Sequence, residues 1–480
     1  MKGENLFDAM SYIDVSLIEE GESYSKKERK AVKTVRKRRK PKWIGSVAAV
    51  LAVILCGAII LNSGPGLVMT SYAVSTPEYP KMESYPNLPI GDEIIKWHDS
   101  IKEQRKYYGA GKNLNVFFEN SIKTMLAGTS DENQVFSPVN VYMALSMLAE
   151  VSGGETRNQI LDTLCAENID SLRTQVHSVW NACYRDDGKT ISKMANSLWL
   201  KDNMGYNTQT VNTLSSHYYA SVFQGDMDST EYNKCYREWL KKETGGLLDK
   251  MLENKEFDAE TVLAIASTLY FSAGWETEFE KELTKKDVFH TPDRDVKCDF
   301  MYIEEQGMYY YGDKFSAVTK PLKNDGNMYL ILPDEGYNVA DLINDEAALD
   351  FMSAPSKWKD RIERKINLSM PKFDISQKQD IVSALEKMGI TDCFNENSAD
   401  FSNILTDMAG GVAVSKVEHG VRVKVDETGC EGAAYTDLHL SGSAAPSNEI
   451  IDFTLDRPFI FVVTSPDGLP LFIGVVNNPN

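Results

Sequence analysis

The fold is decided near the C-terminus, by residues 417–447, VEHGVRVKVDETGCEGAAYTDLHLSGSAAPS. Within this stretch, residues 420–425 alternate as a strand. From Cys430 onward every second residue is small and then apolar, whereas the residues between them are largely polar. A period of two with one apolar face is typical of a half-buried strand. Residues 441–447 (SGSAAPS) then have a composition typical of flexible, turn-rich segments that proteases cleave readily.

A strand sequence that ends in a protease-sensitive stretch has two interpretations. One is an ordinary hairpin strand followed by a long loop, and the alternation by itself favours it. The other is a loop that becomes a strand after a protease has cut it. Gly429 supplies the wide range of backbone conformations that a hinge needs at this point. The rest of the chain has to decide between the two.

The chain from about residue 107 predicts an α+β domain. Residues 115–125 and 141–149 have helical spacing, and Pro138 follows Ser137 at a helix start. Residues 262–271 form a nearly continuous apolar run of strand length, which is typical of a strand buried on both faces. Helices and strands follow in irregular order, without the regular alternation that builds a parallel sheet.

The usual catalytic motifs are missing from the sequence. It contains no G-x-S-x-G, H-E-x-x-H, Walker or dinucleotide-binding motif. Its seven cysteines are odd in number and form no C-x-x-C pair, which argues against a disulfide framework and a zinc site. Of the six histidines, only His419 lies in a strand-like apolar context, where a hydrogen-bonded core residue is the commoner role. We therefore predict no enzyme, no cofactor and no metal.

The charge is divided unevenly along the chain. The formal net charge is −19; residues 1–62 carry twelve basic and seven acidic side chains, or +5, which leaves −24 for residues 63–480. An acidic body repels nucleic acid and anionic polysaccharide. We therefore predict no nucleic acid as a partner and disfavour heparin.

The N-terminal region predicts a membrane anchor. Residues 44–61 are eighteen uncharged residues, enough for a helix across a ~30 Å hydrocarbon core. Eleven Lys and Arg side chains between residues 26 and 42 place that side in the cytoplasm. The alternative is a signal peptide cleaved near Ala73, which would give a secreted protein. The long basic stretch before the apolar run favours retention.

These features divide the chain into four predicted segments. They are a cytoplasmic basic segment at residues 1–42, a transmembrane helix at 43–62, an extracellular linker at 63–106 and the α+β domain at 107–480. The linker is assigned because prolines are frequent in it and no periodicity persists. We thus expect a single-pass protein of the cell membrane with its domain outside the cell.

The domain resembles the serpin family of serine protease inhibitors, in a bacterial type, from about residue 113 to 479. Segments similar to family signatures follow in family order at residues 134–160, 264–284, 370–375, 385–394, 399–404, 417–429 and 455–479. The resemblance implies the serpin fold, with three β-sheets, about eight to nine helices and a mobile reactive loop near the C-terminus. It also reverses the preference for an ordinary hairpin.

The resemblance implies a suicide-substrate mechanism. A target serine protease attacks the exposed loop and forms an acyl-enzyme, and the cut loop then enters a sheet as a new strand and traps the protease. Small residues on the inward face favour entry, and Gly432 and Ala434 are small. Cys430 and Gly432 depart from the usual family residues. A non-inhibitory serpin-fold binding module at the cell surface therefore stays open as an alternative.

The resemblance also assigns roles to individual residues. The hinge of the loop comprises Glu427, Gly429, Cys430, Gly432, Ala433 and Ala434. The region where the sheet must part, called the shutter and the breach, comprises Ser137, Asn140, Ser267, Trp275 and His419. Asn140 and Ser267 exchange the residue types usual in the family. We expect both to face His419 and to preserve a hydrogen-bonded cluster around it.

The scissile bond falls in a window of small residues. Counting fourteen residues from Gly429 gives Ser443 and Ala444, whereas counting back from the C-terminal signature gives Ser447. The contact residues are small in either case, and residues 425–456 contain no Lys or Arg. An elastase-like or subtilisin-like serine protease is therefore the expected target, and a trypsin-like one is disfavoured.

Overall fold

The computed structural model describes residues 65–86, 91–109, 114–128, 132–323, 326–407, 411–430 and 450–480. From Pro65 to Asn480 the chain belongs to one compact unit. Within the described ranges, no helix is long and apolar enough to cross a membrane. The predicted cytoplasmic segment 1–42 and transmembrane helix 43–62 lie outside those ranges.

Twelve α-helices lie in the described part of the chain. They are α1 Pro65–Tyr72, α2 Asp92–Arg105, α3 Asn115–Met125, α4 Pro138–Val151, α5 Gly154–Thr163, α6 Ile169–Cys183, α7 Thr208–His217, α8 Thr230–Glu243, α9 Asp249–Leu252, α10 Val339–Ile343, α11 Glu346–Ser353 and α12 Val382–Lys387. The number exceeds the eight or nine expected because short helices such as α9, with four residues, are included.

The same ranges contain seventeen strands. They are β1 Ala73–Ser75, β2 Gln134–Phe136, β3 Arg185–Asp186, β4 Ile191–Lys201, β5 Ala220–Gly225, β6 Leu263–Gly274, β7 Lys285–His290, β8 Asp295–Tyr311, β9 Phe315–Pro321, β10 Asn327–Pro333, β11 Arg361–Pro371, β12 Phe373–Asp380, β13 Glu418–Val425, β14 Gly429–Cys430, β15 Ile450–Thr454, β16 Phe459–Thr464 and β17 Pro470–Val476. The α+β class is as predicted.

The described strands form two hydrogen-bonded sheets, where three were expected. The first has the order β1-β5-β4-β6-β14-β13-β12, with β3 beside β4. The second has the order β15-β11-β8-β9-β10-β16-β17-β2, with β7 beside β8. The second sheet is continuous because β8 is seventeen residues long. One end of β8 pairs with β7, and most of the strand pairs with β11.

Helix α4 lies between the two sheets. Ser137 caps its N-terminus by accepting a hydrogen bond from the backbone N–H of Asn140, and Pro138 occupies the first turn. The predicted helix start is thus confirmed. Thirteen of its fourteen residues are buried, because α4 packs on β6 in the first sheet and on β17 in the second. The cap matters for function because it fixes Ser137 and Asn140 beneath β6.

The C-terminal strands β16 and β17 lie next to each other in the second sheet, between β10 and β2. Every residue of β16 and β17 is buried, and the two strands pair antiparallel. The turn between them contains Gly468 at φ 89°, a left-handed conformation that favours glycine. These strands form the wall of the core on which α4 rests.

The segment predicted as a free linker, residues 63–106, packs on the domain over most of its described length. Strand β1 pairs with the edge strand β5. Tyr79 stacks on Trp180 with 5.4 Å between ring centroids, and Trp97 of α2 donates a hydrogen bond to Asp187. The sequence could not show these contacts, because they join residues about 90 to 150 positions apart and leave no local periodicity.

Candidate functional site

A gap separates two strands in the middle of the first sheet. Among the described strands, β6 and β13 have no ladder with each other, and the short strand β14 pairs with both. Gly429 pairs with Gly274 and Cys430 with Ala273 on β6, while Cys430 also pairs with Val425 on β13. Both ladders are antiparallel. We call the gap between β6 and β13 the slot.

The slot contains a cavity of about 30 Å³ farther along from β14. Its walls are formed by Thr268 and Leu269 of β6 and by Gly420 and Val421 of β13. Its floor includes the polar end of α4, and residues between α8 and α9 cover it from the outside. The side chains of the slot therefore leave space between the two strands.

Polar contacts hold the end of the slot beside β14. The indole nitrogen Nε1 of Trp275 donates a 2.8 Å hydrogen bond to the backbone carbonyl of Asp426. The buried carboxylate of Glu427 pairs with Lys372 at 2.9 Å and accepts a 2.9 Å hydrogen bond from Thr284. Burial raises the pKa of Glu427, but these donors outweigh burial and hold the pKa below its usual value. Glu427 is therefore charged, and its contacts fix the chain just before β14.

Gly429 sits too close to β6 to carry a side chain. A Cβ at this position would collide with the backbone carbonyl oxygen of Ala273. The next residue, Cys430, is 3 % exposed and joins the core with its side chain. The predicted hinge residue is thus required for close approach to the neighbouring strand. Its role as a hinge in motion stays a prediction.

A polar cluster lies beneath the slot near the N-terminus of α4. The backbone N–H of Ser137 donates a 3.1 Å hydrogen bond to Nε2 of His419. The amide of Asn140 donates to Oγ of Ser267 at 2.8 Å, and Ser267 donates to Oδ1 of Asn196 at 2.7 Å. The structure therefore brings Ser137, Asn140, Ser267 and His419 together, with Asn140 bonded to Ser267 and His419 bonded to the helix start. Trp275 lies instead at the end of the slot beside β14.

The ring of His419 is neutral at ordinary pH. Its side chain is buried, and burial lowers its pKa to about 4. Since Nε2 accepts a hydrogen bond from the Ser137 N–H, the ring proton lies on Nδ1. Protonation of Nε2 would set two donors against each other at 3.1 Å, so the contact between β13 and α4 depends on the neutral ring.

The segment that joins α8 to β6 covers the outside of the slot. The backbone carbonyl of Leu247 accepts a 3.2 Å hydrogen bond from Arg422 on β13. Farther along, Lys255 forms an ion pair with Glu418, the first residue of β13. Burial is the main cause that lowers the pKa of Lys255 to about 8, and the positive charges of two neighbouring lysines lower it further. A strand that enters the slot must therefore pass beneath this segment.

The family follows from a direct comparison. A family model described as "Serpin (serine protease inhibitor)" matches residues 113–479. The chain belongs to the serpin family. Serpins are in general inhibitors of serine proteases and not catalysts, which agrees at the level of the family with the prediction that the chain is not an enzyme.

The alignments of this serpin with curated relatives extend over most of each relative's length. Serpin-ZX of Arabidopsis thaliana is 29 % identical over 370 residues, 73 % of this chain and 93 % of the relative. Plasminogen activator inhibitor 1 of Neovison vison is 28 % identical over 381 residues, 74 % of this chain and 90 % of the relative. An uncharacterized serpin-like protein of Methanosarcina acetivorans is 29 % identical over 366 residues, 73 % and 82 % respectively. These relatives do not assign the serpin to a bacterial type.

Solved serpin structures share the fold. The thermophilic serpin tengpin in its native state has a TM-score of 0.67 and 26 % identity, covering 83 % of this chain and 97 % of that chain. An Arabidopsis serpin in its native stressed conformation also has a TM-score of 0.67 and 26 % identity, covering 77 % and 98 %. The serpin fold is therefore established for the domain.

Part of the predicted site lies outside the described residues. This part comprises Gly432, Ala433, Ala434, Ser443, Ala444 and Ser447. In the described part of this serpin, no three His, Cys, Asp or Glu side chains lie together as metal ligands. Sequence reasoning missed Asn196, which bonds Ser267. The signal available in the sequence was an asparagine within the strand-like run MANSLWL at residues 194–200.

Proposed function

We propose that this serpin inhibits a serine protease by inserting its cut reactive loop into the slot. The observation that carries the proposal is the position of β14, which sets Gly429 and Cys430 between β6 and β13 in an antiparallel ladder. Residues 431–449 connect β14 to β15. After a protease has cut this connection, the residues that follow Cys430 would extend the ladder that β14 begins.

The register of β14 determines where each later residue would pair. Continued along both edges, it sets Thr436 opposite Ser267 of β6 and opposite His419 of β13. A hydroxyl group would therefore arrive at the level of the buried polar cluster. The residues on the same inward face as Cys430 are Gly432, Ala434, Thr436, Leu438 and Leu440. None is charged, so none would lose the hydration of a charge on entering the core.

We place the scissile bond in the window of residues 441–447, at Ser443 and Ala444 or at Ser447. Ser, Gly, Ala and Pro are the only residue types in that window. A protease that accepts them needs a shallow specificity pocket, as elastase-like and subtilisin-like enzymes have. The chain would supply the bond that is attacked, and the protease would supply the nucleophile.

We further propose that residues 43–62 anchor the serpin in the cell membrane, with the domain outside the cell. The alternative is secretion after cleavage near Ala73. Ala73 begins β1, which pairs with the edge strand β5. Cleavage after Ala73 would remove a residue from this ladder, and that favours retention of the anchor.

The test mixes the full-length chain, in detergent micelles, with an elastase-type and a subtilisin-type serine protease. An acyl-enzyme complex should survive SDS electrophoresis, and the mass of the released C-terminal peptide should locate the bond within residues 441–447. The same protease with its catalytic serine replaced by alanine should give no complex. Cutting without any SDS-stable complex would contradict inhibition and support the alternative of a serpin-fold binding module.

Two matched variants test insertion itself. In A434E a charge stands on the inward face of the loop, and in A433E the same charge stands one residue earlier on the outward face. Desolvation should block A434E, so that the protease cuts it and escapes. A433E should still trap the protease. Equal trapping by both variants would show that the loop does not enter the slot in this register.

A further inference from the structure

Gly420 leaves an open place on the outward face of β13. The burial of this strand alternates, with His419, Val421 and Val423 inward and Gly420 outward. A Cβ at Gly420 would meet nothing nearer than Leu248 and Met251 of the covering segment, both at 3.9 Å. Its φ is not in the left-handed region. Backbone geometry and crowding therefore do not require glycine here, and a glycine inside a strand weakens it.

The ladder of β14 shows which residue would use this place. Cys430 pairs with Ala273 and with Val425, and both pairings run antiparallel. Five residues on, position 435 would stand opposite Thr268 of β6 and opposite Gly420 of β13. Like Gly420, position 435 is on the outward face, because it is an odd number of residues from the inward Cys430. Residue 435 is a tyrosine.

The side chain of Tyr435 needs more space than two neighbouring strands with large side chains at the opposed positions would leave. Directly opposed residues of an antiparallel pair have Cβ atoms roughly 4.5–5.5 Å apart. Here Leu248 and Met251 lie over the pair, so a large side chain at position 420 would compete with the tyrosine ring for the space beneath the covering segment. The cavity in the slot lies at this level, between Thr268 and Gly420 and under Leu248. Leu248 and Met251 present apolar atoms above Gly420, which suit the face of an aromatic ring.

We infer that Gly420 is a receiving position for the ring of Tyr435, so that this bulky loop residue can enter beneath the segment that covers the slot. The inference rests on the proposed loop insertion and adds a residue that permits it. The two residues are complementary in size: Tyr435 would fill the space on the inserted strand that Gly420, having no side chain, leaves on β13.

The test is a double-mutant cycle on the full-length chain with G420L, Y435A and the double variant. A subtilisin-type protease cuts the loop, and the readouts are the rise in melting temperature after cutting and the fraction of SDS-stable complex. G420A serves as a graded control, because a single methyl group meets only the 3.9 Å contacts. The melting temperature of each uncut variant reports on folding.

We expect uncut G420L to melt close to the wild type, because Gly420 is exposed in the native fold and a side chain there would meet only the ends of Leu248 and Met251, at 3.9 Å from its Cβ. Overpacking against Tyr435 should slow insertion about tenfold, so that most of the protease escapes by hydrolysis. Y435A should restore trapping in the double variant. Trapping by G420L equal to the wild type, or no rescue by Y435A, would overturn the inference alone. A wild type that neither traps protease nor gains stability when cut would overturn the proposed function as well.

Discussion

Cutting the reactive loop should make this serpin markedly more stable. Continued from β14, residues 431–440 would pair with residues 263–272 of β6, and residues 431–437 with residues 418–424 of β13. An antiparallel ladder forms about one hydrogen bond per residue along each edge, which gives roughly 17 bonds here. On insertion, the backbone groups of the loop therefore exchange hydrogen bonds to water for hydrogen bonds to β6 and β13.

The gain can be worked out from these contacts. Roughly 17 hydrogen bonds at ~1 kcal/mol each are joined by about 6 kcal/mol from burying Leu438, Leu440 and Tyr435. Ordering ten residues costs about 15 kcal/mol. The net gain is about 8 kcal/mol. Residues 65–480 should unfold with an entropy of about 0.9 kcal/mol per degree, so the melting temperature should rise by about 10 °C.

The assay is differential scanning calorimetry of the full-length chain before and after a brief digestion with a subtilisin-type protease, with the cut confirmed by mass. The A434E variant, cut at the same bond, is the control and should gain little stability. A wild-type protein that melts at or below its uncut temperature would refute insertion, because an uninserted cut loop adds no contacts. An equal rise in A434E would refute the predicted register.

The remaining predictions concern single contacts. Lowering the pH from 7 to 5 should reduce the free energy of unfolding by about 2 kcal/mol through His419: its pKa is about 4 when folded and about 6.5 when unfolded, so the unfolded chain binds the proton first. Urea unfolding should show this loss, which continues toward pH 4 and is absent from H419Q. E427Q should lower the melting temperature of the uncut chain by about 2 °C, since Lys372 loses its buried partner; an unchanged value in calorimetry would show that this pair does not stabilise the hinge. Y79A should cost about 2 kcal/mol through the lost ring contact with Trp180, measured by urea unfolding; no loss would mean that residues before α2 contribute nothing to the domain.

Local patterns predicted those parts of the fold that local forces determine. Ser137 and Pro138 predicted the start of α4, because a capping residue and a first-turn proline act within one helical turn. The apolar run at residues 262–271 predicted a strand because its length and continuity are those of a strand, and β6 spans Leu263–Gly274. Gly429 was singled out as a hinge candidate for the permissive backbone of glycine, which is a local property, whereas its close approach to the carbonyl of Ala273 became visible only in the structure.

Features that depend on distant partners could not be predicted in the same way. Tyr79 looked like part of a linker because its ring packs on Trp180, far along the chain. Asn196 was missed because its partner, Ser267, lies on another strand 71 positions along the chain. The exchange of residue types at Asn140 and Ser267 was visible in the sequence. Which of them would bond to which depended on the packing of α4 under the sheet.

The central claim, that the cut loop becomes a strand between β6 and β13, is tested most directly by hydrogen–deuterium exchange of these two strands. In the full-length chain, peptides that cover Leu263–Gly274 and Glu418–Val425 are compared before and after cleavage within residues 441–447. Insertion should pair both edges of the slot and slow exchange in both peptides at least about tenfold. Unchanged or faster exchange in the cut protein would contradict the account.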